Sequence, residues 1–94
     1  KHILINNKVH DSVGGQPIAS SNVDYVSLAR SVGYRSTYRA TTEQELQSAV
    51  QAVREAEGPC FLEIRVRRGA RKDLGRPTIT PHRNRDKFIR ALSR

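Results

Sequence analysis

Residues 42–66, TEQELQSAVQAVREAEGPCFLEIRV, contain a complete helix-to-strand unit. Thr42 and Glu45 have the spacing of a capping box, in which each side chain accepts a backbone amide of the other residue. The helix behind this cap ends at Gly58-Pro59 and has an apolar stripe of Leu46, Ala49, Val50 and Val53. Residues 61–66 then alternate as a strand that has one partly exposed face. A helix that runs directly into a strand is typical of an α/β fold.

The residues before this unit predict a strand, a helix and a second strand. His2–Ile5 is a short apolar run, as expected for a strand covered on both faces. Asn22 is the predicted N-cap of a helix over residues 23–32, which Gly33 ends. The inward stripe of that helix is Val23, Val26, Leu28 and Ala29. Residues 34–39 predict the next strand.

The C-terminal third predicts a long loop and one more helix. The loop spans residues 67–81, and His82 or Asn84 opens the helix, which carries Phe88, Ile89 and Leu92. Strands that alternate with helices favour a parallel sheet with right-handed crossovers. We therefore predict an α/β fold with a three-layer parallel sheet of three strands. Because such a sheet is thin and the chain begins with Lys1 rather than Met, we expect residues 1–94 to be half of a larger domain.

The excess positive charge lies at one end of the chain. The net charge is +8, and residues 58–94 hold all of it, because the acidic and basic residues of 1–57 balance. Such a segment attracts phosphates, nucleic acid or an acidic partner, or it forms a solvated face. The single cysteine, Cys60, excludes an internal disulfide, and we expect a buried thiol in a cytoplasmic protein. No apolar stretch approaches the length of a membrane helix, so we expect no membrane contact.

The loop after the first strand is rich in small polar groups and reads INNKVHDSVGGQ, residues 5–16. In an open α/β sheet, ligands bind beyond the carboxyl ends of the strands, where this loop and the loop after the third strand share an edge. Asn6 and Asn7 offer amide oxygens of the kind that Mg²⁺ or Ca²⁺ accepts, and Mg²⁺ usually binds phosphates as well. Gly14-Gly15 lets backbone amides approach a ligand. These residues fit a metal-bound diphosphate, and they also fit a plain polar loop with an Asx turn.

Two segments resemble one family of enzymes. Residues 6–16, NN-x-V-H-D-S-x-G-G-Q, are similar to the end of the thiamine diphosphate motif of phosphonopyruvate and sulfopyruvate decarboxylases. Residues 69–78, GARKDLGRPT, are close to the G-[AS]-R-x-D-L-G-R-P segment near the C-terminus of the same decarboxylases. An Asn pair alone is a weak signal, whereas both segments at this separation are specific. The resemblance extends from Ile3 to the last helix.

The resemblance implies thiamine diphosphate and Mg²⁺ as cofactors. It implies that the Asn7 side chain and the Val9 carbonyl bind Mg²⁺, which bridges to the diphosphate. It further implies that cofactor contacts come from Ser12, Gly14 and Gly15. His10 and Asp11 are the candidate catalytic residues, with His10 as a general acid or substrate contact. The residues themselves leave open a local hydrogen bond for His10 and a turn cap for Asp11.

The resemblance also implies a diphosphate-binding (PP) domain that is truncated to its C-terminal half, residues 1–94. The Gly-Asp-Gly that supplies the first metal ligand in this family does not occur in the sequence, and neither does the pyrimidine-binding domain. We expect the parent protein to convert phosphonopyruvate to phosphonoacetaldehyde and CO₂, and the isolated chain to be inactive. Sulfopyruvate or another 2-keto acid stays open as the substrate. The expected partners are a second copy of the chain or the missing domains.

Basic residues of the long loop are candidates for binding the substrate. Arg71, Lys72 and Arg76 suit a phosphonate, because Arg forms bidentate pairs with such oxyanions. The alternative is a stabilising or interface loop in which Asp73 pairs with an arginine. His2 and His82 are expected to be structural.

Two other classes of function stay open. The last helix repeats basic residues opposite its apolar side, which favours a solvated face; they are Arg83, Arg85, Lys87, Arg90 and Arg94. A nucleic-acid-binding domain would use these residues for phosphate contacts. Against that function, the basic face has no aromatic residues for stacking and no nucleic-acid motif appears. A non-catalytic α/β assembly module is the other alternative.

Overall fold

The computed structural model describes residues 1–93, so Arg94 of the basic helix lies outside the described part of the chain. Within this range the strands are β1 (His2–Asn6), β2 (Val9–His10), β3 (Gln16–Pro17), β4 (Ser36–Ala40) and β5 (Cys60–Arg65). The helices are α1 (Tyr25–Ser31), α2 (Glu43–Glu55) and α3 (Pro81–Leu92). A short 3-10 turn, Asp11–Val13, separates β2 from β3.

The main sheet has the order β1-β5-β4, and β5 runs parallel to both neighbours. Successive side chains of β5 face opposite sides, because the strand period is two. Leu62 packs in the core with Ala49 and Val53 of α2. Phe61 faces the other side, where it borders a small pocket together with Ala29 of α1. The two helices therefore cover opposite faces of the sheet, which confirms the three-layer α/β fold.

Strand β1 was expected to be covered on both faces, and this expectation is wrong for the described residues. Ile3 is 51% exposed and Ile5 is 65% exposed. Both side chains lie on the face that α2 covers, but α2 packs on β4 and β5 rather than on β1. The apolar run thus identified a strand correctly and overestimated how much of it this chain buries.

The predicted cap of α2 is confirmed. The Thr42 hydroxyl accepts the amide of Glu45, and the Glu45 carboxylate accepts the amide of Thr42, so both halves of the capping box form. Of the predicted stripe, Ala49 and Val53 are buried and Leu46 is half-buried, whereas Val50 is exposed. The start of α2 could be predicted from the local sequence because both partners of the cap lie within one helical turn.

Two other predicted caps are wrong, by two residues for α1 and by two or four residues for α3. Helix α1 is capped by Asp24 rather than Asn22, because the Asp24 carboxylate accepts the amides of Val26 and Ser27. Helix α3 is capped by Thr80, which Pro81 follows at the first helical position, rather than by His82 or Asn84. Of the predicted α1 stripe, Ala29 is buried and Val26 half-buried, and the exposed members are Val23 and Leu28.

Helix α3 presents its apolar side chains to solvent. Phe88, Ile89 and Leu92 are all more than half exposed among the described residues. Cys60, by contrast, is fully buried as a free thiol, as expected. Across residues 1–93, each helix is too short or too polar to cross a bilayer.

Candidate functional site

Two loops leave the sheet side by side at the carboxyl ends of β1 and β5. The register of this parallel pair ends with Asn6 opposite Arg65. The Val66 amide then donates to the Asn6 carbonyl at 3.0 Å, so the strands stay paired up to the loops. The expected shared edge is confirmed, because the polar loop 7–16 and the basic loop 67–80 start next to each other.

The two asparagines of the first loop point in different directions. Asn6 is 7% exposed, and its amide donates to the buried Glu63 carboxylate at 2.7 Å. Its Oδ1 accepts the Lys8 amide at 3.0 Å. Asn7 is half-buried, and its Oδ1 accepts the Val9 amide at 3.2 Å. Both amides are thus bonded within the protein at each end, and what separates them is accessibility, because Asn6 is nearly fully buried beneath the loop and Asn7 is only half-buried.

Asp11 connects the two loops. Its Oδ2 accepts a hydrogen bond from Asn7 Nδ2 at 2.8 Å and another from the Gly69 amide at 2.8 Å. Gly69 has φ +92°, a conformation that a residue with a side chain rarely adopts. This single carboxylate thus ties the Asn7 turn to the start of the arginine segment.

The glycine pair closes a compact hairpin. Gly14 ends the 3-10 turn with φ +101°, and Gly15 follows with φ +71°. The Gly15 amide donates to the His10 carbonyl at 2.9 Å. A Cβ at Gly14 would lie 3.0 Å from the side chain of Gln16, whereas Gly15 borders open space. Glycine is needed here for the backbone conformation, and the open side of Gly15 allows a ligand to approach.

Two of the three predicted substrate residues line one cleft with part of the first loop. The cleft has a volume of about 520 Å³, and its lining includes Asp11, Ser12, Arg71 and Arg76. Arg71 also pairs with Asp73 at 3.6 Å, as the alternative interpretation expected, but both side chains are exposed and such a pair is weak. Lys72 is exposed and does not line this cleft. The structure therefore brings the two arginines, but not Lys72, to the glycine loop.

His10 lies in a different depression. It is exposed and borders a shallow pocket with Asn6, Asn7 and Lys8. The two arginines line the neighbouring cleft instead. Asn7 lines the pocket of His10 and Asp11 lines the cleft of the arginines. The hydrogen bond between Asn7 and Asp11 therefore joins the two spaces.

A buried ionic network under the first loop was missed by the sequence analysis. Glu63 is fully buried, and its carboxylate accepts hydrogen bonds from Asn6 and from Arg39 Nε, both at 2.7 Å. Arg39 also binds Asp24, the cap of α1. The only sequence signal was a charged residue within the apolar run of β5, and that signal was interpreted as a partly exposed face.

The network keeps its groups charged. Burial raises the pKa of the Glu63 carboxyl, but the hydrogen bonds from Arg39 and Asn6 outweigh it, and the pKa lies below its usual value. The same contact with Glu63 raises the pKa of Arg39. Hydrogen bonds from the Ser27 amide and hydroxyl and from Arg39 lower the pKa of Asp24 to about 2. The carboxylate beneath the loop is therefore an anion at neutral pH.

The residues of the first loop fit part of a Mg²⁺ site. Within residues 1–93, no group of three His, Cys, Asp or Glu side chains is arranged to hold a metal ion. Asn7 Oδ1 accepts one long hydrogen bond, and an amide oxygen has a second lone pair. Oxygen ligands of this kind suit Mg²⁺ when phosphates complete the shell. The loop is thus chemically suited to one side of a metal-diphosphate group.

Comparison with known proteins identifies the family. Residues 1–64, more than half of the chain, match the family described as "Thiamine pyrophosphate enzyme, C-terminal TPP binding domain". The chain belongs to this family. Thiamine pyrophosphate is a synonym of thiamine diphosphate, so the expected cofactor is the one for which the family is named. The match includes the whole sheet up to Ile64 and the polar loop with Asn7 and the glycine pair.

Two curated relatives carry the name phosphonopyruvate decarboxylase. The protein of Streptomyces viridochromogenes is 38% identical over 80 residues, which are 85% of this chain and 20% of that protein. The protein of Streptomyces hygroscopicus is 36% identical over 81 residues, which are 86% of this chain and 20% of that protein. This thiamine pyrophosphate enzyme domain therefore spans about a fifth of the length of the curated relatives it matches. No solved structure gives a significant match to the chain.

Proposed function

We propose that the chain is part of a thiamine diphosphate- and Mg²⁺-dependent decarboxylase that converts phosphonopyruvate to phosphonoacetaldehyde and CO₂. The observation that carries the proposal is the double contact of Asp11, which holds the Asn7 turn against the loop of Arg71 and Arg76. This contact places the oxygens proposed to bind Mg²⁺ next to the cleft that Arg71 and Arg76 line. Two relatives named phosphonopyruvate decarboxylase support this choice of substrate.

The first loop is proposed to hold the metal and the diphosphate. Asn7 contributes its side-chain oxygen and Val9 its carbonyl to Mg²⁺, and an acidic ligand comes from another part of the protein. The diphosphate lies along Ser12, Gly14 and Gly15, where the chain is exposed or the backbone is open. When bound, thiamine diphosphate supplies the electron sink that a 2-keto acid needs to lose CO₂.

The second loop is proposed to hold the substrate. Arg71 and Arg76 bind the phosphonate through paired N–H donors, which orients the keto acid in the cleft beside Asp11 and Ser12. His10, which borders the adjacent pocket on the other side of the Asn7–Asp11 contact, is proposed as the general acid that protonates the product. Asp11 stays the second candidate catalytic residue, and its Oδ2, which accepts from Asn7 and Gly69, is proposed to position the two loops as well.

The remaining parts of the proposal concern the whole protein. Residues 1–94 form the C-terminal half of the diphosphate-binding domain, and the pyrimidine-binding domain lies in another part of the protein or in a second copy. Supporting this, the chain covers a fifth of its relatives and leaves an apolar side of β1 exposed. A cytoplasmic location agrees with the reduced, buried Cys60.

The test is decarboxylation by the full-length protein expressed from its native gene. We expect phosphonoacetaldehyde formation that requires both thiamine diphosphate and Mg²⁺, and faster turnover of phosphonopyruvate than of sulfopyruvate or pyruvate. Asn7→Ala is expected to lower Mg²⁺ affinity by about 100-fold. Removing a residue that only orients a metal ligand already costs about 10- to 100-fold, so the loss of a ligand itself should reach the upper end of that range. Asn22→Ala is the matched control, because Asn22 is exposed in the next loop.

Three results would contradict the proposal in different ways. Activity without added Mg²⁺ in a chelated preparation would exclude the metal role of Asn7. Equal losses in Asn7→Ala and Asn22→Ala would show a general effect of amide removal. Preference for another 2-keto acid would retain the decarboxylase and reject phosphonopyruvate as its substrate.

A further inference from the structure

Glu63 is a carboxylate in a position where packing alone calls for an apolar residue. It lies on the central strand and is fully buried, and the neighbouring residues Phe61 and Leu62 are apolar core. A buried ion pair seldom stabilises a fold more than well-packed apolar side chains do. Its presence therefore suggests a requirement other than stability.

The contacts of Glu63 lead directly to the first loop. One oxygen accepts the Asn6 amide at 2.7 Å, while the other accepts Arg39 Nε at 2.7 Å. Arg65 Nε adds a longer contact of 3.4 Å to the first oxygen. Because Glu63 accepts from its Nδ2, the orientation of the Asn6 amide is fixed, and its Oδ1 is directed at the loop backbone.

Asn6 in turn shapes the backbone on both sides of Asn7. Its Oδ1 accepts the Lys8 amide at 3.0 Å, and its carbonyl accepts the Val66 amide at 3.0 Å. Lys8 has φ +61°, which is unfavourable for a residue with a side chain and persists only where the surroundings hold it. Asn7 lies at the centre of this turn, and its side chain is half-buried and bonded to Asp11 in the loop.

We propose that Glu63 is a positioning residue for the metal site, acting through Asn6 to hold the Asn7 turn in the geometry that binds Mg²⁺. This inference rests on the proposed function, because it assumes that Asn7 is a metal ligand. Groups that orient a ligand in this way typically change metal affinity by 10- to 100-fold when they are removed. The carboxylate is required because Asn6 Nδ2 and Arg39 Nε both need an acceptor.

The experiment measures the Mg²⁺ dissociation constant by calorimetry, in full-length protein with saturating thiamine diphosphate. Glu63→Gln keeps the volume, but its amide satisfies only one of the two donors, Asn6 or Arg39. We expect the Mg²⁺ dissociation constant to rise about 10-fold. The thermal unfolding temperature is recorded for every variant to follow stability separately.

Two further variants separate positioning from a loss of stability. Val53→Ala removes core volume far from the loop, and we expect it to lower the unfolding temperature while leaving the Mg²⁺ dissociation constant within twofold. The double variant Asn6→Asp/Glu63→Gln swaps the two groups, so that the amide at position 63 donates to the carboxylate at position 6. We expect this variant to recover most of the Mg²⁺ affinity. Asn6→Asp alone places two carboxylates together and is expected to bind Mg²⁺ no better than the wild type.

The outcomes distinguish this inference from the proposed function. If the wild type binds Mg²⁺ and Asn7→Ala abolishes binding, but Glu63→Gln leaves the constant within twofold, the positioning role is rejected and the decarboxylase proposal stands. A rise in the constant for Val53→Ala as large as that for Glu63→Gln also rejects it. Tighter Mg²⁺ binding by Asn6→Asp alone would attribute any recovery to charge and overturn the argument. If the wild type shows no Mg²⁺-dependent binding of thiamine diphosphate, both proposals fail.

Discussion

Asp11 is the residue on which the arrangement of the two loops depends. Its Oδ2 accepts both Asn7 Nδ2 and the Gly69 amide, although Asp11 itself is exposed. We expect Asp11→Ala to release the arginine loop, because a hydrogen bond to a charged group typically contributes about 1.5–3 kcal/mol, and less when exposed. A loss of about 1 kcal/mol raises the population of the open loop roughly fivefold.

Limited trypsin digestion of the full-length protein measures that population. Cleavage after Arg67 and Arg68 is expected to be several-fold faster in Asp11→Ala than in the wild type. Asp11→Asn retains an acceptor oxygen and should lie between them. Asp73→Ala is the control, because Asp73 makes an exposed ion pair within the same loop. Equal cleavage rates in Asp11→Ala and the wild type would mean that the two loops are held together by other contacts.

At this scale the sequence showed which residues carry polar groups but not which way they point. Asn7 and Asn6 are adjacent and chemically identical, yet Asn7 is half-buried and bonds Asp11 within the loop, whereas Asn6 is buried and bonds Glu63. The difference comes from Glu63, which is distant in sequence and meets Asn6 only through the pairing of β1 with β5. A local pattern carries no information about such a long-range contact.

The start of helix α2 tests how much a local cap contributes to the fold. Thr42 and Glu45 form both halves of the capping box, and Thr41 adds hydrogen bonds to the same carboxylate. Thr42→Ala is expected to lower the free energy of unfolding by about 1 kcal/mol, because one amide of the first turn loses its acceptor. Thr42→Ser retains the hydroxyl and should restore most of it. Chemical denaturation of the full-length protein measures these values.

Thr78→Ala is the matched control for this prediction, since Thr78 is an exposed threonine in the loop before α3. An equal loss of stability in both alanine variants would show that the cap is unimportant.

The cap of α2 was predicted correctly, whereas the caps of α1 and α3 were not. Two good cap residues, Asn22 and Asp24, stand two positions apart, and intrinsic preference does not separate them. Asp24 also contacts Arg39, a long-range contact that the sequence does not display.

On the scale of the whole molecule, the described chain leaves apolar surface that a stable α/β domain normally covers. Ile3 and Ile5 are exposed beside α2, and the far edge of β1 has no neighbouring strand within residues 1–93. Phe88, Ile89 and Leu92 of α3 are exposed as well. An unpaired strand edge with apolar neighbours is a template for association. The alternation of strands and helices predicted the layers correctly, whereas the apolar run of β1 did not reveal that Ile3 and Ile5 are exposed.

We therefore expect the isolated 94-residue chain to self-associate at micromolar concentration. Sedimentation velocity over a range of concentrations measures this, with circular dichroism to verify the helices and strands. Replacing Ile3 and Ile5 by lysine should shift the chain toward the monomer, because charged residues on an edge strand oppose pairing. Val13→Lys is the control, since Val13 is 67% exposed but lies in the glycine loop away from β1. A folded monomer at all concentrations would show that the β1 surface needs no partner, and it would remove the structural reason for placing this chain inside a larger domain.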